Sequence, residues 1–107
     1  MIERIDTEVA IIGGGIVGGS AALFLRRLGV PVVLLEAALC GARASGVNYG
    51  GVRRQGRGLE QMPLARRAHE LWGQLPQLIG IDGEYVRSGH LKLACSEADL
   101  PVSYTHL

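Results

Sequence analysis

The chain is predicted to be an α/β protein whose first third folds as a parallel βαβ unit. Three observations in order predict this: the apolar run Val9-Ala10-Ile11-Ile12, a glycine-dense passage from Gly13 to Gly19 leading into helical spacing, and a second apolar run, Val32-Val33-Leu34-Leu35, that ends at Glu36. A short apolar run stopping at a glycine is the pattern of a strand buried on both faces. The span between the runs holds only one crossover helix, and such crossovers are right-handed in nearly all parallel units.

Each element has a local reason. From Ile16 to Leu28 the stripe Val17, Ala21, Leu25 and Leu28 predicts a helix, with Arg26 and Arg27 placing cations at its negative end. Gly29 suits the left-handed position past a helix terminus, and Pro31 prevents continuation. From Ala37 to Gly58 no apolar period survives, which predicts a long ordered loop whose small residues admit close backbone approach to a ligand. A second helix is expected from about Pro63, with Leu64, Ala68, Leu71, Trp72 and Leu75 inward, Arg66, Arg67 and Glu70 outward, and Pro76 ending it. Glu84 to Arg87 and Leu91 to Ala94 are expected as two short strands about Ser88-Gly89-His90, followed by a helix-like start at Ser96 to Leu100. The change from parallel to hairpin-like sheet predicts the beginning of an α+β unit near residue 81.

Composition excludes several classes. A chain of 107 residues is one domain's worth at most, and with 5% aromatic against 48% hydrophobic residues its core should be mainly aliphatic. A net charge of +1 gives no field that would attract nucleic acid or an anionic membrane. Arg43, Arg53, Arg54, Arg57, Arg66 and Arg67 stand against Glu60 without interleaved aromatics, and the bias of ten Arg to one Lys explains the cluster, so no nucleic-acid partner is expected. Cys40 and Cys95 form no metal-binding or disulfide spacing. Two reduced thiols and a start, Met-Ile-Glu-Arg-Ile-Asp, that lacks secretory-signal character predict a cytoplasmic protein. Val9 to Leu25 runs 17 residues without a charge, but its glycines and β-branched opening argue against a membrane span.

Gly13-Gly14-Gly15-Ile16-Val17-Gly18 is a G-x-G-x-x-G turn between strand and helix. Gly13 permits the sharp exit from the strand, Gly15 lets backbone approach a pyrophosphate, and Gly18 lets the helix lie close on the sheet. The helix N-terminus then offers N–H groups and a positive dipole end to the phosphate, so no basic side chain is required. Glu36 follows Gly18 by 18 residues, where a carboxylate accepts hydrogen bonds from ribose hydroxyls and would repel a 2′-phosphate. These residues point to a Rossmann-like dinucleotide site and against NADP. The hexapeptide leaves FAD and NAD open.

The wider segment resembles the FAD-binding N-terminus of glutathione-reductase-type flavoproteins: Val9, Ile11, Gly13, Gly15, Gly18, Ala22, Leu25, Gly29, Val32 and Glu36 fall at the spacings of that fingerprint. The following loop, Arg43-Ala44-Ser45-Gly46-Val47-Asn48-Tyr49-Gly50-Gly51-Val52-Arg53, is similar to that of D-amino-acid-oxidase-like (DAO) FAD oxidoreductases. Glu70-Leu71-Trp72, Gly80-Ile81-Asp82 and Ser88-Gly89-His90-Leu91 extend the resemblance, which is strongest to the sarcosine-oxidase beta and glycine-oxidase types and spans roughly Glu8 to Leu100.

The resemblance implies FAD as cofactor and a small amine or amino acid as substrate, oxidised at its C–N bond by hydride transfer to the flavin. The expected cofactor contacts are Gly13, Gly14, Gly15, Ile16, Val17 and Gly18, then Glu36 and Ala37, then Arg43, with Ala44 and Ser45 toward the phosphate and ribityl region. Asn48, Gly50 and Gly51 are expected along the flavin ring, with Arg53 near it. No catalytic residue is assigned, because in that family the groups that orient substrate lie mostly beyond this length of chain. His69 and His90 are poor candidates for a base, and Cys40 is expected to be an ordinary buried thiol. The contrasting reading is a non-catalytic dinucleotide-binding module or an NAD-linked dehydrogenase.

Residues 1–80 are thus expected to be part of an FAD-binding domain and 81–100 the start of a substrate domain. Pro101-Val-Ser-Tyr-Thr-His-Leu107 continues no pattern of that family and matches a translated transposon mosaic end. Residues 101–107 are therefore expected to be adapter read-through, and the chain an N-terminal fragment that is inactive alone.

Overall fold

A computed structural model describes residues 4–91 and 93–99. The expected read-through segment, 101–107, lies outside them. The described residues fall into two compact units that divide between Gly50 and Gly51. The change expected at residue 81 thus lies inside the second unit.

The first unit is β1 (Val9–Ile12), α1 (Ile16–Arg27) and β2 (Val32–Leu35). The strands pair in parallel, with Val9 opposite Val32 and Ile12 opposite Leu35. Val9 N–H to Pro31 O at 3.2 Å and Gly13 N–H to Leu35 O at 2.8 Å carry the ladder past both ends. α1 stops where Gly29 was expected to stop it. Gly29, at φ +81°, donates to Arg26 O, and Val30 donates to Leu25 O, each at 3.0 Å. This paired closure satisfies two of the last carbonyls and needs a residue that tolerates the left-handed region.

Two expectations fail here for physical reasons. The half-buried positions of α1 are Gly18, Ser20, Ala22, Leu23 and Leu25, the last as expected, while Val17 is 81% and Leu28 78% exposed. The close approach to the strands is set by Gly18, where a side chain would run into the Gly13 carbonyl oxygen, and small residues carry no weight in a search for large apolar side chains. The strands are also not buried on both faces: Val9 and Ile11 are half-buried, Ile12 is 89% exposed, and no hydrophobic side chain is fully buried among the described residues. A two-stranded sheet with one helix covers one face only, whereas a buried parallel sheet needs helices on both.

The second unit holds a 3₁₀ turn at Leu59–Gln61, α2 (Met62–Trp72) and α3 (Leu75–Ile79). Pro76 does not end a helix; it occupies the first turn of α3, where its missing N–H costs nothing, and the break falls at Gly73 and Gln74. The half-buried positions of α2 are Met62, Ala65, Ala68, His69, Leu71 and Trp72, so Ala68, Leu71 and Trp72 lie inward as expected, whereas Leu64, expected inside, is 76% exposed. Arg66 and Arg67 face outward as expected, each 3.5 Å from a Glu70 carboxylate oxygen. The strands expected at Glu84–Arg87 and Leu91–Ala94 do not form among the described residues, and the helix-like start after Ser96 is a 3₁₀ turn at Glu97–Asp99. Strands of four residues need neighbours to pay for their ordering, and a lone hairpin has none. Glu84 at φ +56° and Gly89 at φ +85° also turn the backbone away from an extended course.

What holds 84–88 is side-chain contact with α2. Trp72 and Tyr85 rings lie 5.7 Å apart, and Arg87 Nε donates to His69 Nε2 at 2.9 Å. That bond requires a neutral His69. Partial burial, then the Arg87 and Arg54 charges, lower its pKa from the ordinary 6.5 against an opposing Glu70. A folded pKa below the unfolded one means the contribution is complete above 6.5 and is lost as pH falls through the folded value. Acidification should therefore shift the fluorescence of Trp72, the chain's single tryptophan, in a step that His69→Gln abolishes.

Candidate functional site

The glycine turn connects β1 to α1 with the geometry its residues allow. Gly13 takes φ +102°, which few other residues adopt. At Gly18 an added Cβ would run into the Gly13 carbonyl oxygen and lie 3.3 Å from Ile11 Cγ2, so the absence of a side chain lets α1 start against β1. Gly15, the N-cap of α1, is extended and has no side chain to cap the helix.

Glu36, just past β2, turns its carboxylate back onto this turn. Oε2 accepts Gly14 N–H at 2.7 Å and Oε1 accepts Ala38 N–H at 3.0 Å. The Gly14 hydrogen bond, then that from Ala38, holds the Glu36 pKa below the ordinary 4.5 against partial desolvation, with a lesser contribution from Ala37. The side chain is therefore a fixed anion with lone pairs to spare, since an ionised carboxylate accepts at about four positions.

The segment after Glu36 folds over the same turn. Gly41 N–H donates to Gly14 O at 2.9 Å, and Ile16 N–H donates to Ser45 Oγ at 2.8 Å. A Cβ at Gly14 would lie 2.6 Å from Cys40 Sγ and one at Gly15 3.0 Å from Ser45 Oγ. Gly13, Gly14, Gly15, Ile16, Gly18, Glu36 and Ser45 thus meet in one place. Arg43 and Ala44 lie in the turns leading to Ser45, and Ala44 O is 3.5 Å from Asn48 Nδ2. Asn48 spends its side chain on the loop itself, donating to Ser45 O at 2.6 Å and accepting from Gly50 N–H at 2.7 Å. Gly51 and Arg53 belong to the second unit, where Arg53 Nη1 donates to Gln55 O at 3.3 Å.

Two residues at this turn were missed. Cys40 is exposed, not buried, and lies against Gly14; Gly41, at φ +75°, supplies the bond to Gly14 O. Neither has a local signature, although a glycine five positions past the acid was a visible cue. A groove of about 470 Å³ in the second unit, lined by Leu59, Met62, Pro63, Arg66, Arg67 and Glu70, contains none of the expected cofactor contacts.

The turn fits a dinucleotide: side chains are absent where backbone must approach a pyrophosphate, α1 presents its N-terminus, and a fixed carboxylate stands at the end of β2. The family described as FAD dependent oxidoreductase (DAO) matches residues 8–104. The chain belongs to this family. Its cofactor is FAD, which decides between the two dinucleotides that the hexapeptide left open. The chain is 29% identical over 103 residues to N-methyl-L-tryptophan oxidase of Escherichia coli K12, covering 92% of this chain and 27% of that protein. The same values hold for the enzymes of that name from Escherichia coli O139:H28 and Shigella boydii serotype 18. The chain therefore spans about a quarter of the length of the curated relatives it matches. No solved structure matches. No helix among the described residues is long and apolar enough to cross a membrane.

Proposed function

We propose that this chain supplies the dinucleotide-binding part of a flavoenzyme that oxidises the C–N bond of an amine or amino acid. The observation that carries this reading is the Gly13–Gly18 turn held against the Glu36 carboxylate at the N-terminus of α1. Gly13, Gly14, Gly15, Ile16, Val17 and Gly18 would cradle the pyrophosphate, Glu36 and Ala37 the ribose end, and Arg43, Ala44, Ser45, Asn48 and Gly50 would face the remainder of FAD. When bound, FAD supplies the hydride acceptor. The chain's own contribution is to fix the cofactor by backbone N–H groups and one anion. The relatives' name specifies an N-methylated amino acid, so a secondary-amine amino acid is the substrate class we infer. With Cys40 and Cys95 both free thiols, we place the protein in the cytoplasm.

The test is made on the intact gene product. Purified with FAD, it should show flavin absorbance that bleaches anaerobically with N-methyl amino acids and returns with an electron acceptor. Tight NAD binding with no affinity for FAD would overturn the proposal in favour of an NAD-linked dehydrogenase or a binding module.

A further inference from the structure

Between residues 37 and 50 the chain has neither helix nor strand, so the course of this loop depends on individual ties. Two of them reach the glycine turn: Gly41 N–H donates to Gly14 O at 2.9 Å, and Ile16 N–H donates to Ser45 Oγ at 2.8 Å. Within the loop, Gly46 N–H donates to Arg43 O at 2.9 Å, and a Cβ at Gly46 would run into the Gly41 carbonyl oxygen. The remaining tie is the Asn48 carboxamide. Its Nδ2 donates to Ser45 O at 2.6 Å and lies 3.5 Å from Ala44 O, and its Oδ1 accepts Gly50 N–H at 2.7 Å. A carboxamide offers donors at one end and an acceptor at the other, and here both ends are engaged with backbone.

Resting on the proposed FAD site, we infer that Asn48 is a positioning residue of that site: its carboxamide sets the backbone course that carries Ser45 and Gly50, and it serves the cofactor through them. Ser45 is held from two directions, by its hydroxyl on Ile16 N–H and by its carbonyl on Asn48 Nδ2, which fixes the residue on both sides of its own peptide. Gly50 takes φ +67°, and the bond from its N–H to a side chain two residues back is the local turn that asparagine forms on a short stem. Only a short carboxamide meets both sides. Aspartate keeps an acceptor for Gly50 N–H but turns its second oxygen toward Ser45 O, so one side of the clasp becomes repulsive, and alanine loses both sides. Holding the loop in one course lowers the ordering cost that cofactor binding must meet.

The test compares the intact gene product as wild type, Asn48→Ala, Asn48→Asp, Ser45→Ala and the double variant of Asn48→Ala with Ser45→Ala. FAD affinity, read by flavin fluorescence, should fall roughly 5- to 30-fold in Asn48→Ala, the loss of one to two net hydrogen bonds, and as far in Asn48→Asp. The double variant should lose less than the product of the two single losses, because Asn48 acts partly through Ser45. Bound flavin should absorb identically in wild type and Asn48→Asp, and hydrogen exchange over residues 44–50, read by mass spectrometry, should quicken in both Asn48 variants. Wild-type affinity in both Asn48 variants, or a double variant whose losses simply multiply, would overturn the inference. So would a shifted flavin spectrum in Asn48→Asp, the signature of a group that touches the ring itself. Exchange over 44–50 equal to that of the wild type would overturn the clasp. A wild type that takes up no FAD would defeat the FAD site instead, and the exchange comparison would still decide whether Asn48 holds the loop.

Discussion

Gly18→Ala should destabilise the βαβ unit by roughly 3 kcal/mol or more, while Gly19→Ala, one residue on, should stabilise it by about 1 kcal/mol. The opposite signs follow from what each new methyl meets. At Gly18 it meets the Gly13 carbonyl oxygen, a backbone atom that cannot rotate aside, and the Ile11 side chain behind it. Either α1 lifts from β1 or the turn changes path, and both remove the close approach on which the half-buried contact of α1 with β1 and β2 depends. At Gly19 nothing lies within 4 Å, so the substitution only removes the conformational entropy penalty of a glycine in a helix. Urea unfolding followed by far-ultraviolet circular dichroism measures both. In the intact flavoprotein, Gly18→Ala should purify without flavin and Gly19→Ala with it. Equal stability of the two variants would mean that α1 does not rest on the turn through Gly18.

The same glycine marks the boundary between what was legible in the sequence and what was not. β1, α1 and β2 follow from local signals: β-branched runs fix the strands, Gly29 and Pro31 fix the helix end, and their order fixes the parallel pairing. Which face of α1 turns inward depends instead on how closely it approaches the strands. That distance comes from Gly18, a residue whose importance lies in being small. The error at Leu64 has a related source, since His69 lines the inner side of α2 through its contact with Arg87, a residue beyond the helix. The expected strands after Glu84 failed because pairing is non-local: alternation of residues states a preference, and a partner strand must supply the hydrogen bonds. Within the site, the glycines and Glu36 were visible because their spacing reflects one ligand. The attachment of Gly41 and Ser45 to Gly14 and Ile16 was not, because a loop 29 residues away carries no period that points back to the turn.

Glu36→Ala should weaken FAD retention in the intact protein by roughly 10- to 100-fold, and Glu36→Gln should fall nearly as far. The second expectation separates a positioned anion from a simple acceptor. Two backbone N–H groups, of Gly14 and Ala38, aim at the two oxygens of this carboxylate, at 2.7 and 3.0 Å. Glutamine has only one oxygen, so its NH₂ would confront one of those donors, and no rotamer satisfies both. Glu36→Asp keeps the charge, but its shorter side chain withdraws the carboxylate from Gly14, so it should bind FAD better than the glutamine variant and worse than the wild type. The pH dependence has a definite sign. Because the folded pKa lies below 4.5, the native state binds fewer protons than the unfolded chain; the contribution is complete above 4.5 and is lost as pH falls through the folded value. Protection of the Gly14 amide from hydrogen exchange should decline over that same acid range in the wild type, and in Glu36→Ala it should be low with no such step. If Glu36→Gln retained wild-type flavin and the acid step, the carboxylate would be acting neither as the anion at the ribose end nor as the clamp on Gly14, and the site would rest on the glycine backbone and Ser45 alone.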